Sequence, residues 1–152
     1  LQDPEAIVNW PKTLGRDGAR TPMPWVRGAP HAGFSAAEPW LPVDPRHDAL
    51  AVDAQERDPT SMLHAARRLI GVRRRYPALR TGKLTLLPDD EPLLAFTRST
   101  PDQRLMAVFN LGHEAAAWSP PDGWRVVEAV NMNAPPPGML PPLAALMLVE
   151  AG

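Results

Sequence analysis

The sequence has 152 residues, 44% of them apolar, with 16 basic and 17 acidic side chains, 20 prolines and no cysteine. A formal charge of −1 leaves no electrostatic footprint for nucleic acid or an anionic membrane, and no apolar run approaches the roughly 20 residues of a spanning helix. The absence of cysteine removes disulfides, thiolate metal sites and thiol nucleophiles and leaves the compartment, cytoplasmic or periplasmic, open.

The chain opens Leu1-Gln2-Asp3-Pro4, with no initiator Met and no basic or apolar leader segment, and reads as a piece of a longer protein. Asp3, Pro4 and Glu5 combine an N-cap, a first-turn proline and a dipole-compatible acid, which predicts a short helix from Pro4 to Trp10, stopped by Pro11. Residues 11–57 hold prolines at 11, 22, 24, 30, 39, 42 and 45, interspersed with Gly15, Gly18, Gly28 and Gly33, and predict a long loop. A loop of that length is functional or packed on something else, and the expectation here is both, with scaffold strands upstream of residue 1. Asp58-Pro59 repeats the cap-then-proline signal. Met62, Ala66, Leu69, Ile70 and Tyr76 then recur at helical spacing, predicting a helix over 59–76 with Met62, Ala66, Leu69 and Ile70 as its buried stripe. Its other face carries Arg67, Arg68, Arg73, Arg74 and Arg75, the pattern of a solvated, salt-bridging face whose last cations suit the helix dipole.

From Lys83 the texture changes to short β-rich runs: Lys83–Leu87, Leu93–Ser99, Arg104–Asn110, Ala115–Trp118, Arg125–Ala129 and Leu143–Glu150. Turn-forming groups at 88–90, 100–102, 120–123 and 135–138 separate them, and a small antiparallel sheet or sandwich follows. Trp118 and Trp124 belong to its packing, and Ala134–Pro142 reads as a proline-rich linker between strands.

The chemistry gathers between the two helices, in Gly15-Arg16-Asp17-Gly18-Ala19-Arg20-Thr21-Pro22-Met23-Pro24-Trp25, then His31-Ala32-Gly33-Phe34-Ser35, then Glu38-Pro39-Trp40-Leu41-Pro42-Val43. Two arginines four residues apart sit on an irregular but stiff backbone. A planar fork of donors binds a carboxylate and a pair of hydroxyls together, and Trp10, Trp25 and Trp40 offer flat apolar faces, a set that fits a sugar. Each residue also has a plainer reading. Arg20 is a ligand contact or a structural ion-pair partner, Trp25 and Trp40 stack on a sugar or pack under their own loop, and His31 approaches a subsite or is a hydrogen-bonded loop residue. Arg16, just before Asp17 and Gly18, suits a turn-stabilising ion pair. The histidines lack metal-ligand spacing, and neither a P-loop, a GxGxxG fingerprint nor a nucleophile elbow occurs.

The order GRDGARTPMPW, HAGFS, EPWLPV and an acid-capped helix ending RRRYPAL resembles the C-terminal part of α-glucosidases and oligo-1,6-glucosidases of the α-amylase superfamily, glycoside hydrolase family thirteen. The resemblance runs from about residue 9 to residue 82; beyond that the chain is similar to the family only in its strand pattern. One departure is Pro24, where many relatives have Gln. The resemblance implies an α+β fragment: the last loop and helix of a (β/α)8 barrel in residues 1–80, then a small antiparallel all-β domain in 81–152. It implies retaining hydrolysis of terminal α-glucosidic bonds in short oligosaccharides or sucrose by the intact protein, without a cofactor. Retention needs two carboxyl groups roughly 5 Å apart. The family's nucleophilic Asp, acid/base Glu and stabilising Asp lie upstream of this sequence, so no catalytic residue is assigned and the 152 residues alone are expected to be inactive. Arg20 carries over as the residue that pairs with an upstream Asp and hydrogen-bonds the non-reducing glucose. The alternatives are a trehalose synthase-like or transglucosylating enzyme of the same superfamily, and a non-catalytic carbohydrate-binding or interaction module.

Overall fold

Asp3 caps helix α1 (Pro4–Asn9) through its side chain, which accepts from the Glu5 N–H, and Pro4 occupies the first turn as its fixed φ allows. The computed structural model describes residues 1–13, 15–88, 92–132 and 137–151, and its contacts gather into two units, Leu1–Arg67 and Arg68–Gly152.

In the first unit the expected loop is largely irregular but not featureless. Short 3-10 turns form at Asp17–Ala19 and Pro45–Leu50, a tight turn through left-handed His31 and Ala32 forms at Pro30–Gly33, and helix α2 spans Val52–Arg57 inside the stretch expected to be loop. Neither end of α2 carries a strong sequence signal: Ala51 makes no side-chain cap. What fixes it is tertiary. The Val52 and Asp53 amides donate to the carbonyls of Pro24 and Trp25, and the Asp53 carboxylate accepts from the Arg27 amide at 2.9 Å.

Helix α3 spans Met62–Arg75, beginning three residues later than expected. Asp58 does not cap it; the Asp58 carboxylate folds onto Thr60, accepting from both its amide and its hydroxyl, and Ser61 takes the capping position, its hydroxyl accepting from the His64 amide at 3.4 Å. The expected buried stripe is corrected as well. Val72 is the buried residue and Leu69 and Tyr76 are half-buried, while Met62, Ala66 and Ile70 are exposed. The apolar spacing fits two neighbouring stripes. The choice is made at the C-terminal end, where Val72 packs with Leu79 of helix α4 (Ala78–Thr81) and with Leu105. The arginines are used as expected of a salt-bridging face: Arg67 grips Glu56, Arg68 pairs with Glu128 at 2.6 Å, and Arg73 donates to the Leu79 carbonyl.

The second unit is built on an antiparallel five-stranded sheet of β1 (Lys83–Leu86), β2 (Leu93–Thr100), β3 (Gln103–Asn110), β5 (Trp124–Val130) and β7 (Ala145–Glu150), in the order β1-β2-β3-β7-β5. A two-stranded ribbon of β4 (Ala116–Ala117) and β6 (Met139–Leu140) accompanies it. Every expected strand is found, and β6 is an addition inside the stretch read as linker, of which 133–136 lie outside the described residues. The last strand starts at Ala145 rather than Leu143, because Leu143 has φ of +53°, a left-handed conformation incompatible with a strand.

Alternation along the strands gives the sheet two apolar faces. One carries Ala95, Met106, Val108, Leu146 and Leu148, covered by Leu140 with Trp118 and Trp124 packed alongside; the other carries Leu105, Met147 and Val149 against Val72 and Leu79. Asn110, fully buried at the end of β3, ties the β6 end to the sheet. Its Nδ2 donates to the carbonyls of Glu114, Leu140 and Pro141 at 2.7–3.0 Å, and its Oδ1 accepts from the Gly112 amide.

Candidate functional site

The arginine motif closes onto the start of α1. Asp3 is fully buried, and its carboxylate takes the Arg16 side chain in a two-pronged contact, Nε to Oδ2 at 2.8 Å and Nη2 to Oδ1 at 3.0 Å, while Oδ2 also accepts from the Arg16 amide. Asp17 answers in the opposite direction. Its Oδ2 accepts from the Gln2 and Asp3 amides at 2.6 and 3.0 Å, and its Oδ1 accepts from Arg20 Nη2 at 3.0 Å. The same Nη2 lies 3.3 Å from Asp3 Oδ2, so both guanidiniums share one buried carboxylate. Arg16 is therefore an ion-pair residue whose partner is Asp3, thirteen positions away, and not the adjacent Asp17.

The backbone permits this closeness only because position 15 has no side chain. Gly15 has φ of +58°, and a Cβ there would lie 2.9 Å from both Asp3 Oδ2 and Ala6 Cβ. Hydrogen bonds from Arg16 hold the Asp3 carboxyl far below the usual carboxylate range against the opposing effect of burial, and the Gln2 and Asp3 amides, with a smaller effect from Arg20, lower Asp17. Both acids thus stay ionised through neutral and mildly acidic pH. They anchor cations and are unsuited to donating a proton.

Arg20 meets a third group. Its guanidinium carbon lies 5.3 Å from the ring centroid of Trp40, within cation–π range. Trp25 takes no comparable role: it is exposed, and its backbone closes the 25–34 loop, its amide donating to the Ala32 carbonyl at 2.8 Å. Trp10 is also exposed. His31 has φ of +50° and lines, with Glu38, Trp40, Asp44 and Asp48, an open cavity of about 650 Å³. Among the described residues no group of three His, Asp or Glu side chains is arranged for a metal ion.

The second unit holds an apolar cavity of about 540 Å³ lined by Leu69, Leu84, Phe96, Phe109 and Met147. Among its charged neighbours Glu128 pairs with Arg68, and Arg73 and Arg98 each donate to a backbone carbonyl, those of Leu79 and Ala78. The candidate site is the charged knot in the first unit. Sequence reading identified its arginines but not Asp3 as its keystone, since a helix-capping aspartate gives no sign of a second task thirteen residues away.

Comparison with known proteins agrees with the motif. The profile of the α-amylase catalytic domain matches residues 1–82, more than half of the chain. The chain belongs to the α-amylase family, glycoside hydrolase family thirteen. It is 45% identical over 116 residues to a probable α-glucosidase of Rhizobium meliloti, covering 76% of this chain and 21% of that protein. It is 38% identical over 120 residues to a probable oligo-1,6-glucosidase of Bacillus subtilis, covering 78% and 21%. Among solved structures, the α-glucosyl transfer enzyme XgtA superposes with a TM-score of 0.82 at 38% identity over 99% of this chain and 29% of its own. The chain spans about a fifth of the length of these curated relatives.

Proposed function

We propose that the full-length protein is a retaining α-glucosidase that hydrolyses terminal α-glucosidic bonds of short oligosaccharides or sucrose. In this reading residues 1–80 complete its (β/α)8 barrel, 81–152 form the following all-β domain, and Arg20 grips the non-reducing glucose. The observation that carries the reading is the charged knot, two guanidiniums on one buried carboxylate, lying in the stretch that matches the catalytic domain. Its chemistry is binding and orientation. Asp3 and Asp17 hold Arg20 at Nη2, which leaves the rest of a planar donor fork for vicinal hydroxyls; charge-assisted bonds of this kind contribute roughly 1.5–3 kcal/mol. The nucleophile and proton donor come from elsewhere in the protein.

A specific observation favours a second assignment within the same knot. The Arg16 side chain is 68% exposed against 37% for Arg20, and its bidentate hold on Asp3 leaves its outer edge turned to solvent. The similarity to XgtA supports glucosyl transfer as an alternative outcome of the same binding.

The test uses the full-length protein and 4-nitrophenyl α-glucoside. Arg20→Lys keeps the charge and loses the planar fork, and should lower kcat/KM ten- to several-hundred-fold, equivalent to roughly 1.5–3 kcal/mol, with Arg16→Lys much milder. The reverse order assigns the sugar contact to Arg16. A lowered melting temperature with unchanged kinetics in both variants makes the knot structural only, and full-length protein without glucoside hydrolysis or transfer points to a non-catalytic module.

A further inference from the structure

Arg20 is tied to its carboxylates through a single nitrogen, Nη2, which bonds Asp17 and approaches Asp3. A planar group held at one corner can still swing about it. What removes that freedom is a contact on its face, and Trp40 supplies one from twenty residues downstream. The geometry points to Trp40 as a positioning residue for Arg20, a ring that fixes the plane of the guanidinium so that its remaining donors meet the sugar. This inference rests on the α-glucosidase reading above.

The segment around Trp40 is built to hold a ring at the surface. Pro39 and Pro42 flank it with fixed φ, and Leu41, only 4% exposed, anchors the segment inward while Trp40 itself is 58% exposed. Within these 152 residues an indole left that open is not held by burial. Its electron-rich face suits a guanidinium, which is weakly hydrated and stacks with little loss of solvation. The ring therefore supplies orientation through its quadrupole, and an aliphatic side chain of similar bulk should not replace it.

The experiment is a double-mutant cycle in the full-length protein with 4-nitrophenyl α-glucoside as substrate. Trp40→Leu should lower kcat/KM about five- to tenfold, Trp40→Phe, which keeps an aromatic face, should recover to within about threefold of wild type, and the urea midpoint of Trp40→Phe should be unchanged. In the Arg20→Lys background Trp40→Leu should cost less than about twofold, because the guanidinium it orients is gone. Independent losses in the two backgrounds, equal losses for Leu and Phe, or a Trp40→Leu enzyme as active as wild type would each overturn the inference. If Trp40→Leu does not fold, the cycle between Trp40→Phe and Arg20→Lys decides in the same way. A wild-type protein inert toward the glucoside removes the α-glucosidase reading and this inference with it, whereas an active wild type with an indifferent Trp40 removes this inference alone.

Discussion

Asp3 performs two tasks with one carboxylate: it caps α1 through the Glu5 amide and receives both arginines of the motif. Removing it would leave two guanidiniums and several amides without their acceptor, the costlier side of a hydrogen-bond deletion. The pH dependence follows from the direction of its shift. A carboxylate depressed in the folded state contributes stability that is fully present above its unfolded value of about 3.9 and is lost as pH falls below it toward the folded value. The Asp3→Asn variant should therefore be less stable than wild type at pH 7, and the gap should narrow between pH 4 and pH 2, as urea melts at pH 7 and pH 2.5 can check. A gap independent of pH would mean that the aspartate matters for shape and not for charge. Gly15→Ala tests the same knot without touching a charge. A side chain at φ of +58°, with its Cβ meeting Asp3 and Ala6 at 2.9 Å, should cost about 1–3 kcal/mol in a denaturant melt. Arg16, Arg20 and Trp40 stand out in the sequence as candidates because guanidiniums and indoles among prolines suggest recognition. The pairing that joins them depends on a left-handed glycine and a buried aspartate, neither of which has a local pattern.

Among the elements, the strands were the most legible part of the fold. β-rich runs between proline- and glycine-rich turns place β2, β3 and β5 within a residue of their observed bounds, while β7 starts two residues later than its run. The two-residue β6 escaped because nothing so short has a period; Asn110 holds its far side through the Leu140 and Pro141 carbonyls. Asn110→Leu should therefore destabilise the protein by at least about 2 kcal/mol, since three carbonyls and the Gly112 amide lose their partner at once. Helix α3 shows the opposite situation, an element legible in its existence and misjudged in its facing. Apolar residues at 62, 66, 69, 70, 72 and 76 cover more than one stripe, and a helix is turned by its neighbours, here Leu79 and Leu105, rather than by its own spacing. Val72→Ala should cost about 1–3 kcal/mol in the 152-residue chain while Met62→Ala changes its stability by about 0.5 kcal/mol or less. Similar losses at both sites would restore the stripe expected from spacing alone.

At the scale of the whole chain the two units differ in how their backbones are satisfied, and that difference should be measurable as local stability. The second unit pairs β3 on both sides, with β2 and β7, and buries Leu105, Val108, Leu146 and Leu148 almost completely. Opening any central amide there breaks a ladder and exposes apolar surface together, so exchange requires something close to global unfolding. The first unit is held differently. Among the described residues its buried hydrophobic side chains are few, Ala6, Ala32, Leu41 and Ala51, while its cohesion comes from the pair on buried Asp3, from exposed clamps such as Asp44–Arg46 and Arg67–Glu56 and from isolated backbone bonds such as Trp25 to Ala32. Exposed ion pairs contribute little each and are screened by salt, so short turns secured this way open without cooperation from the rest. Hydrogen exchange on the 152-residue chain should accordingly show the amides of 95–97, 105–108 and 146–148 protected longest and those of 20–50 exchanging first, with the gap widening as salt is raised. The amides of Arg16 and Asp3, bonded to buried carboxylates, should stand out as slower than the rest of the first unit. Uniform protection across both units, insensitive to salt, would show that the proline-rich half is as cooperative as the sheet and that its charged clamps carry more of its stability than their exposure implies.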